Sequence, residues 1–152
     1  MSRFLLDRDI AFFKTISREL VDDVIKTTVI LYKLVLDNIT TNLYGESLDK
    51  SYYKGLESTA LIERDDTSSR YEGLGPDSAQ DVEFRFNRFT LVEKGFYPEI
   101  GDLIYHNNAY FEIDNVRDVD QLIGGKPSET YSVICSTFMT RRTSIQLEPR
   151  NI

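Results

Sequence analysis

Phe96-Tyr97-Pro98-Glu99-Ile100-Gly101-Asp102-Leu103-Ile104-Tyr105-His106-Asn107-Asn108-Ala109-Tyr110-Phe111-Glu112-Ile113-Asp114-Asn115-Val116 holds two short runs, 103–105 and 110–116, rich in aromatic and β-branched residues. Such side chains fit a pleated surface. The spacer between them, His106-Asn107-Asn108, is polar. Asn tolerates positive φ, so the spacer predicts a tight hairpin turn. Pro98 and Gly101 bracket a turn just ahead of the first strand. Nothing in the stretch reads as a nucleophile or a ligand cage; it reads as a scaffold.

Working outward, Val82-Glu83-Phe84-Arg85-Phe86-Asn87-Arg88-Phe89 opens as clean alternation. Val82, Phe84 and Phe86 face one side and Glu83, Arg85 and Asn87 the other, which predicts a half-buried strand. Phe89 falls out of phase with Phe86, so a bulge or a change of direction is expected near Asn87-Arg88. A last core strand is expected over 131–139, after a loop over 117–129 carrying Gly124-Gly125-Lys126-Pro127. Residues 27–36 are dense in Val, Ile, Thr and Tyr, so strand is favoured there over helix, with Lys33 pointing outward or snorkelling. Residues 52–63 predict one more strand. Residues 64–81 have few apolar side chains to bury, so a long exposed loop is expected there.

At the N-terminus Ile10, Phe13, Ile16, Leu20 and Val24 recur at spacings of three and four. They share one face of a helix expected over 7–23, capped by Asp7 or Asp9, with Glu19, Asp22 and Asp23 on the wet side. The chain of 152 residues is therefore read as one domain. It has a helical segment over 1–26, a β domain over 27–140 with the loop 64–81, and a C-terminal arm over 141–152. The fold class expected is mainly β: a small antiparallel β-barrel or sandwich with one N-terminal α-helix and a long exposed loop.

Composition narrows the function. A chain this long buries a sizeable core without staples. The one cysteine, Cys135, excludes an internal disulfide framework; in the run Tyr131-Ser132-Val133-Ile134-Cys135 it reads as a buried inert thiol of a reducing compartment. The first residues carry charge where a signal peptide needs an apolar run. No stretch approaches the ~20 apolar residues of a membrane span, so no membrane partner is expected. A net charge of −7 repels a nucleic-acid backbone. That argues against a general DNA-binding module, but does not exclude a protein through which DNA passes without sticking.

Candidate chemistry is thin. His106, the one histidine, sits at the predicted turn without a partner in sequence and reads as a solvated turn residue. The acidic groups Asp65-Asp66 and Asp114/Asp118/Asp120 lack the spacing of a calcium loop. Gly124-Gly125-Lys126-Pro127-Ser128 lacks the first glycine of a phosphate loop, and Pro127 stands where its helix should begin. No catalytic residue, metal or cofactor is expected. Arg141, Arg142 and Arg150 form the one basic cluster, either a solvated tail or an arm for an acidic neighbour. Nine Tyr and nine Phe exceed what a core of this size needs, which points to aromatic anchors at interfaces.

These residues are also where the chain resembles a known family. Phe96-Tyr97-Pro98-Glu99-Ile100-Gly101-Asp102-Leu103-Ile104-Tyr105, followed by Tyr110-Phe111-Glu112-Ile113, resembles the neck proteins of contractile-tailed bacteriophages, also called head-completion or stopper proteins. Leu43-Tyr44-Gly45-Glu46-Ser47, Glu83-Phe84-Arg85-Phe86, Gly124-Gly125 and Met139-Thr140-Arg141-Arg142 support it. The resemblance implies a virion part without catalysis, made in the host cytoplasm. It implies a ring of copies, commonly six, below the portal and its adaptor ring and above the tail-terminator ring, with double-stranded DNA passing through it. On that reading Tyr97, Pro98, Arg141, Arg142 and Arg150 are candidate contacts with the ring or its neighbours. Asp65, Asp66, Arg70 and Tyr71 belong to a loop that lines or gates the lumen. The alternatives are a tail-terminator or other tail ring protein and, from another class, a small cytoplasmic β-barrel adaptor that binds a protein.

Overall fold

The computed structural model describes residues 7–35, 50–64, 68–71, 76–79, 81–121, 130–140 and 145–147. Along them run α1 (Asp7–Arg18), continued by a π-helical segment (Glu19–Ile25), β1 (Thr28–Tyr32), β2 (Lys50–Tyr52), β3 (Leu56–Thr59), β4 (Leu61–Arg64), β5 (Ser68–Tyr71) and β6 (Pro76–Ala79). Then come β7 (Asp81–Asn87), α2 (Arg88–Glu93), β8 (Leu103–His106), β9 (Ala109–Gln121), β10 (Thr130–Thr140) and β11 (Ile145–Leu147).

Seven strands form one antiparallel sheet in the order β3-β1-β8-β9-β10-β7-β4. Its two outermost strands are consecutive in the chain, separated by Ala60 alone. The sheet must therefore curl until its edges meet: β3 pairs with β1 while β4 pairs with β7. Ala60 is fully buried at that corner, and its N–H donates to the Thr27 carbonyl at 3.0 Å. The product is a nearly closed antiparallel barrel with one N-terminal helix, the mainly β fold that the sequence predicts. Closing the barrel leaves few strand edges open to solvent.

Alternation fills the interior. Val29 and Leu31 of β1, Phe84 and Phe86 of β7, Phe111 of β9 and Cys135 of β10 share one core cluster. Phe84 stacks beside Phe86, centroids 6.5 Å apart, and meets Phe111 edge-on at 5.5 Å. Burial pushes the Cys135 thiol up to about 12, which keeps it protonated and unreactive, as its sequence context predicts. The hairpin turn also forms as expected: Asn107 and Asn108 both take positive φ, 47° and 66°, the signature of a two-residue type I′ turn.

Elsewhere the structure differs from the expectation. The single strand over 52–63 is instead β2, β3 and β4, broken at 53–55 and at Ala60. Gly55 sits in the first break because a Cβ there would lie 2.5 Å from Ile30 Cγ2 and 2.7 Å from Tyr32 Cε1. The loop expected over 64–81 contains a ribbon, β5 paired antiparallel with β6. Low hydrophobicity excludes a buried strand, but an antiparallel pair satisfies its backbone groups without burial. The change of direction near Asn87-Arg88 is the start of α2. Asn87, expected on the wet side, is 2% exposed, and its Oδ1 accepts from the Phe89 N–H at 3.0 Å as the N-cap.

The loop expected over 117–129 begins only after Gln121, because β9 continues through Arg117–Gln121 paired with β10. Arg117 and Asp118 are exposed there, and Arg117 meets Glu83 at 2.7 Å. The true bulge lies at Asp114, which has no opposite number where the register shifts at Ser136/Thr137. Part of the C-terminal arm expected over 141–152 is β11, which pairs in parallel with β2. Among the described residues no helix is long and apolar enough to cross a membrane.

Candidate interaction site

Two surface regions stand out, one at each end of β1. The first is the turn that precedes β8. Gly101 takes φ 95°, a conformation that costs an L side chain energy, and its N–H donates to the Ile113 carbonyl at 2.9 Å. Asp102 is 1% exposed and holds the turn together. Its Oδ1 accepts from the Leu34 N–H at 2.9 Å, and its Oδ2 from the Glu99 N–H at 2.8 Å and from Lys33 Nζ at 3.0 Å. Lys33 does not reach into solvent, as expected from sequence, but folds over the turn. It also donates to the Tyr97 carbonyl at 2.9 Å and meets Glu99 at 2.9 Å. Burial works to lower the Lys33 pKa, but the hydrogen bonds and charges of Glu99 and Asp102 outweigh it and leave it raised.

The candidate contact residues sit on this turn in different ways. Tyr97 is exposed, and its hydroxyl donates to Asp118 Oδ1 at 3.1 Å. Burial of part of its ring, then that hydrogen bond, raises its pKa. Pro98 is buried in its own chain, so it shapes the turn while Tyr97 and Ile100 present its surface. Ile100 is 69% exposed, a residue that the sequence analysis did not single out.

The second region is α1. The helix forms where the periodicity predicts, and four of the five residues of its apolar face point away from the barrel. Phe13, Ile16, Leu20 and Val24 are all exposed, as is Phe12. Val21 is buried instead, and Asp22, expected in water, turns inward. The Asp22 carboxylate accepts from Thr59 Oγ1 and from Thr90 Oγ1, the latter at 2.7 Å. Arg18 grips Glu93 through two hydrogen bonds of 2.8 and 2.6 Å, which raise its pKa further. Lys14 Nζ lies 4.7 Å from the centre of the Phe89 ring. Polar contacts thus fix the helix on the barrel, and they rotate its apolar face outward.

Under the helix an open crevice of about 220 Å³ lies between Ser17, Val21 and Ile25 and the barrel residues Leu61, Phe86 and Ser132. Asn87 Nδ2 and Ser132 Oγ border it without a hydrogen-bond partner among the described residues. The helix therefore packs against the barrel less closely than the interior strands pack against one another.

The remaining candidates are scattered. His106 is the last residue of β8, not a solvated turn residue: its ring packs edge-on to Phe84 at 6.3 Å. Asp118 is engaged by Tyr97 and lies 3.8 Å from Arg88. Among the described residues no three His, Cys, Asp or Glu side chains gather where they could hold a metal. Arg70 and Tyr71 lie on β5 of the ribbon. Asp65, Asp66, Arg141, Arg142 and Arg150 lie outside the described residues. The outward helix face is the feature that sequence reasoning missed. Its signal was present as amphipathic spacing, but spacing does not say what a face meets.

No family model and no curated protein matches this chain. Among solved structures, a chain from a virion of a native gene transfer agent (GTA) particle is similar to it at 14% identity, with a TM-score of 0.48. The alignment covers 74% of this chain and 93% of that one. A likeness of this size assigns no function.

Proposed function

We propose that this protein is a structural component of a phage-like virion, a ring protein of the head-to-tail neck that closes the filled head and presents a docking surface to the tail. The observation that carries this reading is the pairing of a filled barrel with exposed large apolar side chains at both ends of β1. A packed interior leaves the outer surface as the working part, and exposed apolar patches of this kind mark interaction sites. The motif through which the sequence resembles neck proteins forms one of those ends, the turn held by Asp102. The net charge of −7 fits a lumen that DNA passes without adhering. On this reading the protein has no catalytic role and no cofactor, and its partners are its own copies and the rings above and below.

Electron microscopy of purified particles tests the proposal. The expected result is a ring between head and tail into which the barrel fits. Absence of the protein from particles ends the reading. A ring at another level of the tail replaces it with the tail-terminator alternative.

A further inference from the structure

The crevice between the helix and the barrel combines apolar walls with buried polar groups. Leu20, Val21 and Ile25 line it from the helical side, Leu61 and Phe86 from the barrel. Asn87 and Ser132 also line it, directly opposite each other where β7 pairs with β10. They are 2 and 4% exposed, and Asn87 Nδ2 and Ser132 Oγ have no hydrogen-bond partner among the described residues. The amide cannot turn over to hide its donor. Its Oδ1 is committed to the Phe89 N–H as the cap of α2, so the NH2 end is the one left over. A buried donor left unpaired is costly, and an arriving acceptor lifts that cost. Arg85, which keeps contacts of its own, is the one charged side chain among the described residues lining the crevice. The neighbouring carboxylates are engaged elsewhere or exposed. Asp22 accepts from Thr59 and Thr90 and lies 3.6 Å from Arg18, and Glu83 is taken up by Arg117 and Ser136. Glu19, Asp23 and Lys26 are exposed on the helix. The backbone above is unusual as well: Glu19–Ile25 is π-helical, a form frequent at functional sites.

We infer that this crevice binds a small carboxylic acid with an apolar body. One carboxylate oxygen accepts from Asn87 Nδ2 and the other from Ser132 Oγ, while the Arg85 guanidinium supplies the opposite charge. The apolar body lies against Val21, Ile25 and Phe86. Size agrees: about 220 Å³ exceeds the ~150 Å³ that encloses a benzene ring, which leaves room for the carboxylate. Both donor atoms are shielded from bulk solvent, so the acid enters between helix and sheet and parts them slightly. Arg85 repels a cation, and a neutral amide lacks the charge that would match it. The site stands on the crevice alone and does not rest on the neck reading.

Nuclear magnetic resonance of the isotope-labelled full chain tests it, with benzoate, benzamide and benzylamine as probes. At about nine non-hydrogen atoms, benzoate is expected to bind with a Kd of about 1 mM. It should shift the Asn87 side-chain amide and the backbone amides over 17–25. Benzamide should bind about tenfold more weakly, and benzylamine should not bind. Asn87→Asp keeps the capping oxygen and replaces the donor with an anion. Benzoate binding should vanish in it while the circular dichroism spectrum stays unchanged. Ser132→Ala should weaken benzoate about three- to tenfold. The inference is overturned if benzoate fails to bind at ~10 mM, well above the Kd expected for its size. It is overturned equally if benzamide binds as tightly as benzoate, or if either variant binds benzoate as the wild type does. Should Asn87→Asp not fold, Ser132→Ala decides alone. If benzoate binds as described but particles lack the protein, the neck reading fails and this one stands.

Discussion

The turn over 97–102 and the helix α1 are both surface features with exposed apolar side chains, yet they are built in opposite ways. The turn is knitted into the barrel by a buried carboxylate that accepts from three donors. The helix rests on the barrel through polar contacts along its edge, over a crevice, and buries none of the residues of Asp7–Arg18. One region spends its polar groups on rigidity; the other keeps its apolar groups for something outside the chain. An exposed apolar residue on a turn held in this way needs no reordering to bind a partner.

The difference between the two regions predicts a graded set of effects. Asp102→Ala should have the largest. It leaves the Leu34 and Glu99 N–H groups without their acceptor, at about 1–3 kcal/mol for each donor left unpaired, while Lys33 keeps the Tyr97 carbonyl and Glu99. Urea unfolding should record that loss as a lower midpoint. A cost near zero would mean that the turn is held by something other than this carboxylate.

An intermediate effect is expected from pH. The Cys135 thiol is raised from 9.0 to about 12 by burial, so the folded state holds its proton more tightly than the unfolded chain. The stability it supports is fully present below pH 9 and declines as pH rises toward 12, by at most about 1.4 kcal/mol per pH unit. Lys33, raised above 10.5, adds to the decline at higher pH in the same direction. Unfolding measured at pH 7.5, 9 and 10 should therefore show a loss confined to the alkaline side. Cys135→Ala should flatten the part between 9 and 10, and an unchanged slope in that variant would remove the thiol from the account.

The smallest effect belongs to the helix face. Phe13→Ser alters an exposed side chain away from the core, so the unfolding midpoint should move by no more than about 0.5 kcal/mol. A loss above ~1 kcal/mol would show that the face is covered within the monomer and erase the contrast between the two regions.

Much of this architecture was legible in the residues. The 2-residue alternation of Val82, Phe84 and Phe86 and the Asn107-Asn108 turn depend on local chemistry, and both formed as expected. The ribbon over β5 and β6 was missed because composition reports on burial, while pairing needs only a partner strand. α2 was missed because its six residues are too few to display a helical period. The extension of β9 was missed because Asp118 and its neighbours read as loop residues until β10 is known to lie alongside.

The sequence by itself determined which residues share a face: the inward set of the barrel strands and the apolar stripe of the N-terminal helix. Only the tertiary structure decided where those faces point. Periodicity is fixed by backbone geometry within one element, but direction depends on contacts between elements. Here the bonds from Asp22 to Thr59 and Thr90, and from Arg18 to Glu93, rotate the stripe away from the core. No pattern within the helix could have recorded that, because every one of those partners lies at least 37 residues away along the chain.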